Sequence, residues 1–228
     1  MRILAIDTAL EACAAAVLDT AGGGILARES KAMSRGHAEA LMPMIDRVMA
    51  QSGAGFDAID RIAVTVGPGS FTGLRVGIAA ARGLALAMAK PAVGLTTLSA
   101  FAAPLIAADD TLPVVVAIDA RHEHVYLQVF GPGGRNLVPP RIASMRDALR
   151  AATTSRAPRL IGTGATMLAA AWPSAARPPR SVEQRGAPDI DWVAQIGAAV
   201  PEGTAPPRPL YIRAPDAQPS DSAQLPRR

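Results

Sequence analysis

Two aspartates, Asp7 and Asp119, each close an apolar run ending Ala-Ile-Asp, and they stand 112 residues apart, half the chain. An acid at the end of a buried strand can cap the turn that follows. Two such acids at matching strand ends also point into any cleft between two halves. Between them lies Gly67-Pro68-Gly69-Ser70-Phe71-Thr72-Gly73, after an apolar run and before a helix-forming stretch. Main-chain N–H groups at a helix start suit a phosphate, and glycines let one come close. The loop lacks Gly-Lys-Ser/Thr and is not Gly-x-Gly-x-x-Gly, so neither standard nucleotide fingerprint applies. Its other reading is a tight strand-to-helix turn capped by Ser70 or Thr72. Asp7, Thr8, Gly67, Gly69, Ser70, Thr72 and Gly73 are therefore the candidate nucleotide or phosphate loop.

The remaining chemistry is sparse. His122 and His124 fall on one side of an extended stretch, but no cysteine or third histidine lies near them. They read as exposed hairpin residues rather than a metal site. His37 beside Glu39 reads as a helix-start residue with a capping or packing role. No Ser-His-Asp order stands out, and Cys13 has no paired histidine. No catalytic residue and no metal ligand is assigned.

The elements that must position these residues repeat. Arg2–Asp7 and Val114–Asp119 read as buried strands, followed by returning strands over 11–18 and Val125–Phe130. In the first half a third strand near 24–29 leads to a helix over 37–51, a strand over 62–66, the glycine loop and a helix to Met88. In the second half a strand near 136–142 leads to a helix near 145–152, a strand at 159–161, then Gly162-Thr163-Gly164 and another helix. Each half reads β-β-β-α-β-loop-α, which is mixed α/β with three meandering strands. After residue 172 the texture changes, with 11 of the 20 prolines in the last 56 residues. One helix near 192–199 and one short strand near 209–213 are expected there. The domains expected are 1–108, a reduced second one at 109–213, and a flexible tail at 214–228.

Composition narrows the function. The 228 residues are 50% apolar and 18% charged, which is a folded, globular balance. One cysteine excludes a disulfide framework and fits a reducing compartment, so a soluble cytoplasmic protein without a membrane span is expected. Net charge is +4, with 9 basic and 10 acidic residues over 1–110 and 14 and 9 over 111–228. The basic residues are scattered and lack interleaved aromatics, so a nucleic-acid platform is not indicated.

The duplicated pattern resembles the actin/hexokinase/Hsp70 (ASKHA) superfamily, in which two ribonuclease-H-like domains with mixed sheets and flanking helices face each other across a nucleotide cleft. Finer motifs resemble the TsaB (YeaZ) family: Ile-Leu-Ala-Ile-Asp-Thr at 3–8, Gly-His-Ala-Glu-Ala-Leu at 36–41 and Gly-Pro-Gly-Ser-Phe-Thr-Gly-Leu-Arg-Val-Gly at 67–77. Pro-Ala-Val-Gly-Leu-Thr-Thr-Leu at 91–98 and Asp-Ala-Arg-His-Glu-His-Val-Tyr at 119–126 add to these, with Tyr211-Ile212-Arg213 as a late landmark. In catalytic relatives, acids placed like Asp7 and Asp119 help hold metal-phosphate groups. The resemblance implies a non-catalytic partner of a TsaD-like subunit and a TsaE-like ATPase in making N6-threonylcarbamoyladenosine at position 37 of tRNA. It implies tRNA contact only through that complex, a homodimer when the partner is absent, and ATP or ADP only at the complex interface. TsaD-like relatives carry a His-x-x-x-His metal pair, and the positions that correspond here hold Thr97 and Phe101. The alternative is an active ASKHA-type kinase or a metallopeptidase using the cleft.

A partner surface is expected on the helices at 37–52 and 72–90. Gly73, Gly77, Ala81, Ala85 and Ala89 recur every four residues, a small-residue stripe that admits a close backbone. Met42, Met44 and Met49 are adaptable side chains suited to a contact. Leu41, Met42, Ile45, Met49, Arg75, Ile78 and Arg82 are the expected interface residues, with the two arginines ringing an apolar centre.

Overall fold

The computed structural model describes residues 1–201 and 203–212. The run Arg2-Ile3-Leu4-Ala5-Ile6-Asp7 forms β1 (Arg2–Asp7), the middle strand of a five-stranded sheet, with every residue after Arg2 buried. Because side chains alternate across a strand, Leu4 and Ile6 enter one apolar layer while Ile3 and Ala5 enter the opposite one. β2 (Ala12–Asp19) and β3 (Gly24–Ala32) extend the sheet antiparallel on one side, and β4 (Arg61–Thr65) and β5 (Ala92–Leu95) extend it parallel on the other. The helices α1 (His37–Ser52) and α2 (Phe71–Met88) cover the Leu4/Ile6 face.

The second half repeats this plan. β6 (Val114–Asp119), β7 (His124–Phe130), β8 (Asn136–Ser144), β9 (Arg159–Gly162) and β10 (Ser181–Gln184) lie in the order β8-β7-β6-β9-β10, matching β3-β2-β1-β4-β5 of the first sheet. Val115 and Ala117 face α4 (Met145–Thr153) and α5 (Ala165–Ala170), while Val114, Val116 and Ile118 face the other way.

The remaining two helices are exchanged between the sheets. α3 (Thr97–Ala108) leaves β5 of the first sheet yet packs Leu98, Phe101 and Ala102 onto the second. α6 (Ile190–Ala199) returns from the second half and packs Ile190, Val193 and Ala194 onto the first. β1–β5 lie within residues 2–95 and β6–β10 within 114–184, and the packing of α3 and α6 crosses between the two sheets in both directions.

A matched pair of buried arginines fixes the exchange. Arg61 opens β4 and donates to the carbonyls of Gly197, Ala198 and Val200 at the end of α6. Arg159 opens β9 and donates to those of Leu105, Asp109 and Leu112 at and beyond the end of α3. The last carbonyls of a helix have no intrahelical partner, and a cation there also meets the negative end of the helix dipole.

Differences from the sequence reading fall in three places. The stretch after the first glycine-loop helix contains β5 and α3, and β10 closes the second sheet; none of these three was expected. Residues 209–212 form no strand, and Arg213 and the expected tail lie outside the described residues. α2 is long and apolar enough to cross a membrane, but its buried side, Leu74, Ile78, Ala81 and Ala85, packs on its own sheet.

Candidate functional site

Asp7 ends β1 with no exposure, and its carboxylate turns inward. Thr65, at the end of the neighbouring parallel strand, donates its hydroxyl to Oδ1 at 2.5 Å, and the Ala9 N–H donates to the same oxygen at 3.1 Å. Oδ2 is buried with no hydrogen-bond partner among the described residues. Burial drives the Asp7 pKa above its ordinary value, against the hydrogen bonds from Thr65 and Ala9 and the nearby His37. His37, the first residue of α1, is itself buried with Nε2 3.1 Å from the Leu10 carbonyl. That is the packing role expected of it. Burial likewise pushes the Cys13 thiol up to about 11, helped by Asp7 and then Glu29, so Cys13 is a core residue rather than a nucleophile.

The glycine loop wraps the end of this strand. Ser70 is the N-cap of α2, its hydroxyl accepting from the Gly73 N–H at 3.3 Å, which is the capped-turn reading. Its N–H donates to the Ala9 carbonyl at 2.7 Å, and Thr8 Oγ1 donates to the Gly73 carbonyl at 2.7 Å. A Cβ on Gly69 would lie 2.2 Å from the Ala9 oxygen, and one on Gly73 would lie 2.1 Å from the Thr8 oxygen. These glycines serve a backbone-to-backbone contact. The atoms they approach are carbonyl oxygens, so on this side the loop meets negative rather than positive partial charge. Thr72 is exposed at the surface of the first helical turn.

The second half places Asp119 at the equivalent strand end, but exposed. It accepts from the Arg121 N–H at 2.8 Å, capping a turn in which Arg121, His122 and Glu123 all take left-handed backbone angles. His124 Nδ1 lies 2.6 Å from the His122 carbonyl, so the two histidines belong to this turn. Among the described residues no three of His, Cys, Asp and Glu are grouped as a metal would need. Thr97 starts α3 with its N–H donating to the Gly67 carbonyl, and Phe101 fills the core beneath the second sheet.

The expected partner face needs correction. Leu41, Ile45, Met49 and Ile78 are buried at 1%, 0%, 3% and 4% exposure in the core that α1 and α2 share with the sheet. Met44 is buried with them, and the stripe Gly73, Gly77, Ala81 and Ala85 faces inward, a Cβ on Gly77 meeting Thr8 Oγ1 at 2.4 Å. The close backbone that the stripe admits, at Gly73, is that of Thr8 just after β1, within the chain itself. Exposed instead are Met42 on α1 and, on α2, Arg75, Ala79, Arg82 and Leu86, spaced four, three and four residues apart along one side. Leu86, 85% exposed, escaped the sequence reading although the same spacing carries it from Arg75 and Arg82. Thr65, Arg61, Arg159 and the contact of Tyr211 with Phe71 were also missed, because each pairs residues far apart in the chain.

Two sheets of one strand order, each centred on a strand that ends in aspartate, define a tandem ribonuclease-H-like protein of the ASKHA class. A family model described as TsaD, tRNA N6-adenosine threonylcarbamoyltransferase, matches residues 15–160. The tRNA threonylcarbamoyladenosine biosynthesis protein TsaB of Escherichia coli is 40% identical over 126 residues, 55% of this chain and 53% of that one. The chain thus spans about half the length of the curated TsaB relatives it matches. An uncharacterised Mycobacterium bovis protein is 33% identical over 95% of this chain and 94% of its own. The crystal structure of a Pseudomonas aeruginosa protein with similarity to peptidase YeaZ superposes with a TM-score of 0.79 at 28% identity, covering 93% of this chain and 99% of that one. The chain belongs to the TsaB (YeaZ) family.

Proposed function

We propose that the chain is a non-catalytic scaffold subunit in the synthesis of tRNA N6-threonylcarbamoyladenosine in the cytoplasm. In this reading it pairs with a TsaD-like catalytic subunit and works with a TsaE-like ATPase, and tRNA meets it only within that complex. The observation that carries the pairing is the outer side of α1 and α2, where Met42 stands 47% exposed on α1 and Leu86, one turn beyond Arg82 on α2, stands 85% exposed. A large exposed apolar group on the same helix side as arginines suits a protein contact. Family membership supports placing it in this pathway.

The use the fold makes of the candidate site residues supports the scaffold role. Asp7 is engaged by Thr65 and Ala9, the loop glycines pack on carbonyl oxygens, and Phe101 serves the core. Any nucleotide is expected at the interface of the assembled complex rather than on this chain. The test is threonylcarbamoyl transfer to tRNA and ATP turnover with the purified chain, with the TsaD-like subunit, and with both. The modified base should form only when both are present, and the chain alone should turn over no ATP. ATP or peptide turnover that follows the pure chain and disappears in Asp7→Ala would establish the kinase or peptidase reading instead.

A further inference from the structure

We propose that residues 206–212 form a latch on the first turn of α2, with Tyr211 as its catch. Beyond α6 the chain crosses the carboxyl ends of β4 and β5. Pro207 is buried against Gly94, where a Cβ would come within 3.2 Å of the proline Cβ. The Leu210 N–H donates to the Val66 carbonyl at 2.7 Å, just after β4. Gly67 makes room for this crossing: its φ is +115°, and a Cβ there would lie 3.0 Å from the Leu210 oxygen. The Tyr211 ring then stacks on Phe71, the first residue of α2, with centroids 5.3 Å apart. Arg75, one turn further along, donates from Nε to the Tyr211 hydroxyl at 3.1 Å and lays its guanidinium 3.7 Å over the Phe71 ring.

The attachment is specific but slight. Prolines at 201, 206, 207 and 209 remove N–H donors from the segment, so it does not join the sheet as a further strand. Among the described residues, one main-chain hydrogen bond, the Arg75–Tyr211 hydrogen bond and a ring contact between residues each 43% exposed hold its end. Segments held by few buried contacts and an exposed hydrogen bond open below the cost of global unfolding. Opening would release Phe71, Arg75 and the Gly67–Gly73 loop together.

The latch does not depend on the proposed pairing. That pairing adds one consequence. Arg75 belongs both to the catch and to the outer stripe of α2, so a partner carboxylate that takes its guanidinium competes with Tyr211, and binding and latch opening are then reciprocally coupled.

The test is amide hydrogen exchange, read by mass spectrometry, on the full chain, Tyr211→Ala and Arg75→Leu. Both variants should raise exchange about five-fold or more in peptides spanning Gly69–Arg75 and Leu210, while the central strand Val114–Asp119 exchanges as in the parent. Unchanged exchange at those peptides in either variant overturns the latch. So does an equal rise in Val114–Asp119, which would make the stack a support of the whole fold. Neither readout involves a partner or activity, so failure here leaves the pairing untouched.

Discussion

Asp7 is an acid in a place where water cannot reach its charge, and its environment compensates only half of the carboxylate. Oδ1 accepts from Thr65 and Ala9; Oδ2 accepts from nothing among the described residues. Burial therefore holds its pKa above the ordinary 3.8, and the folded state binds this proton more tightly than the unfolded chain does. Stability is then fully present below the unfolded value and falls as pH rises from about 3.8 towards the folded value. Asp7→Asn keeps an oxygen for Thr65 and Ala9 and removes the charge. Its melting temperature should exceed that of the parent at pH 7, and the gap should close as pH falls towards 4. A gap that does not change with pH would show that Asp7 is neutral, or well compensated, throughout. The position of Asp7 was legible because an apolar run ends on it. Its partner Thr65 lies 58 residues away on a parallel neighbour, and nothing local marks that pairing.

Helix spacing shows which residues share a side of α2 but not which side is inside. The stripe of small residues fitted a partner helix by composition, whereas Thr8 and Val64 fill that space. Likewise α1 could offer its methionines to a partner or to the sheet, and Met44 and Met49 went to the sheet. Two glycines of α2 separate these environments in a measurable way. Gly83 is exposed with nothing within 4 Å of an added Cβ, so Gly83→Ala should stabilise the fold by up to about 1 kcal/mol through helix propensity. Gly77→Ala must push on Thr8 and should cost about 1–3 kcal/mol. Denaturant unfolding of both variants reads this directly, and a stabilising Gly77→Ala would contradict the inward stripe.

Across the whole molecule the repeat was the strongest sequence signal. The paired Ala-Ile-Asp endings and the two glycine loops foretold two sheets of one topology, because buried central strands and strand-to-helix turns leave local marks. The exchange of α3 and α6 left none. It depends on which sheet a helix meets after leaving its own strand, and on Arg61 and Arg159 reaching carbonyls far away in sequence. The exposed side of α1 and α2 stands apart from this symmetry, and the proposed function rests on it. Leu86→Asp and Met42→Asp place a charge on surface positions that the fold does not use, so both should remain folded by circular dichroism. The decisive measurement is the affinity of each for the TsaD-like subunit of the same organism, with Arg135→Ala on the second half as control. Leu86→Asp should weaken binding about tenfold or more, a loss of about 1.4 kcal/mol or above, while Arg135→Ala binds as the parent does. Folded Leu86→Asp and Met42→Asp that both bind with undiminished affinity would contradict the assignment of this face.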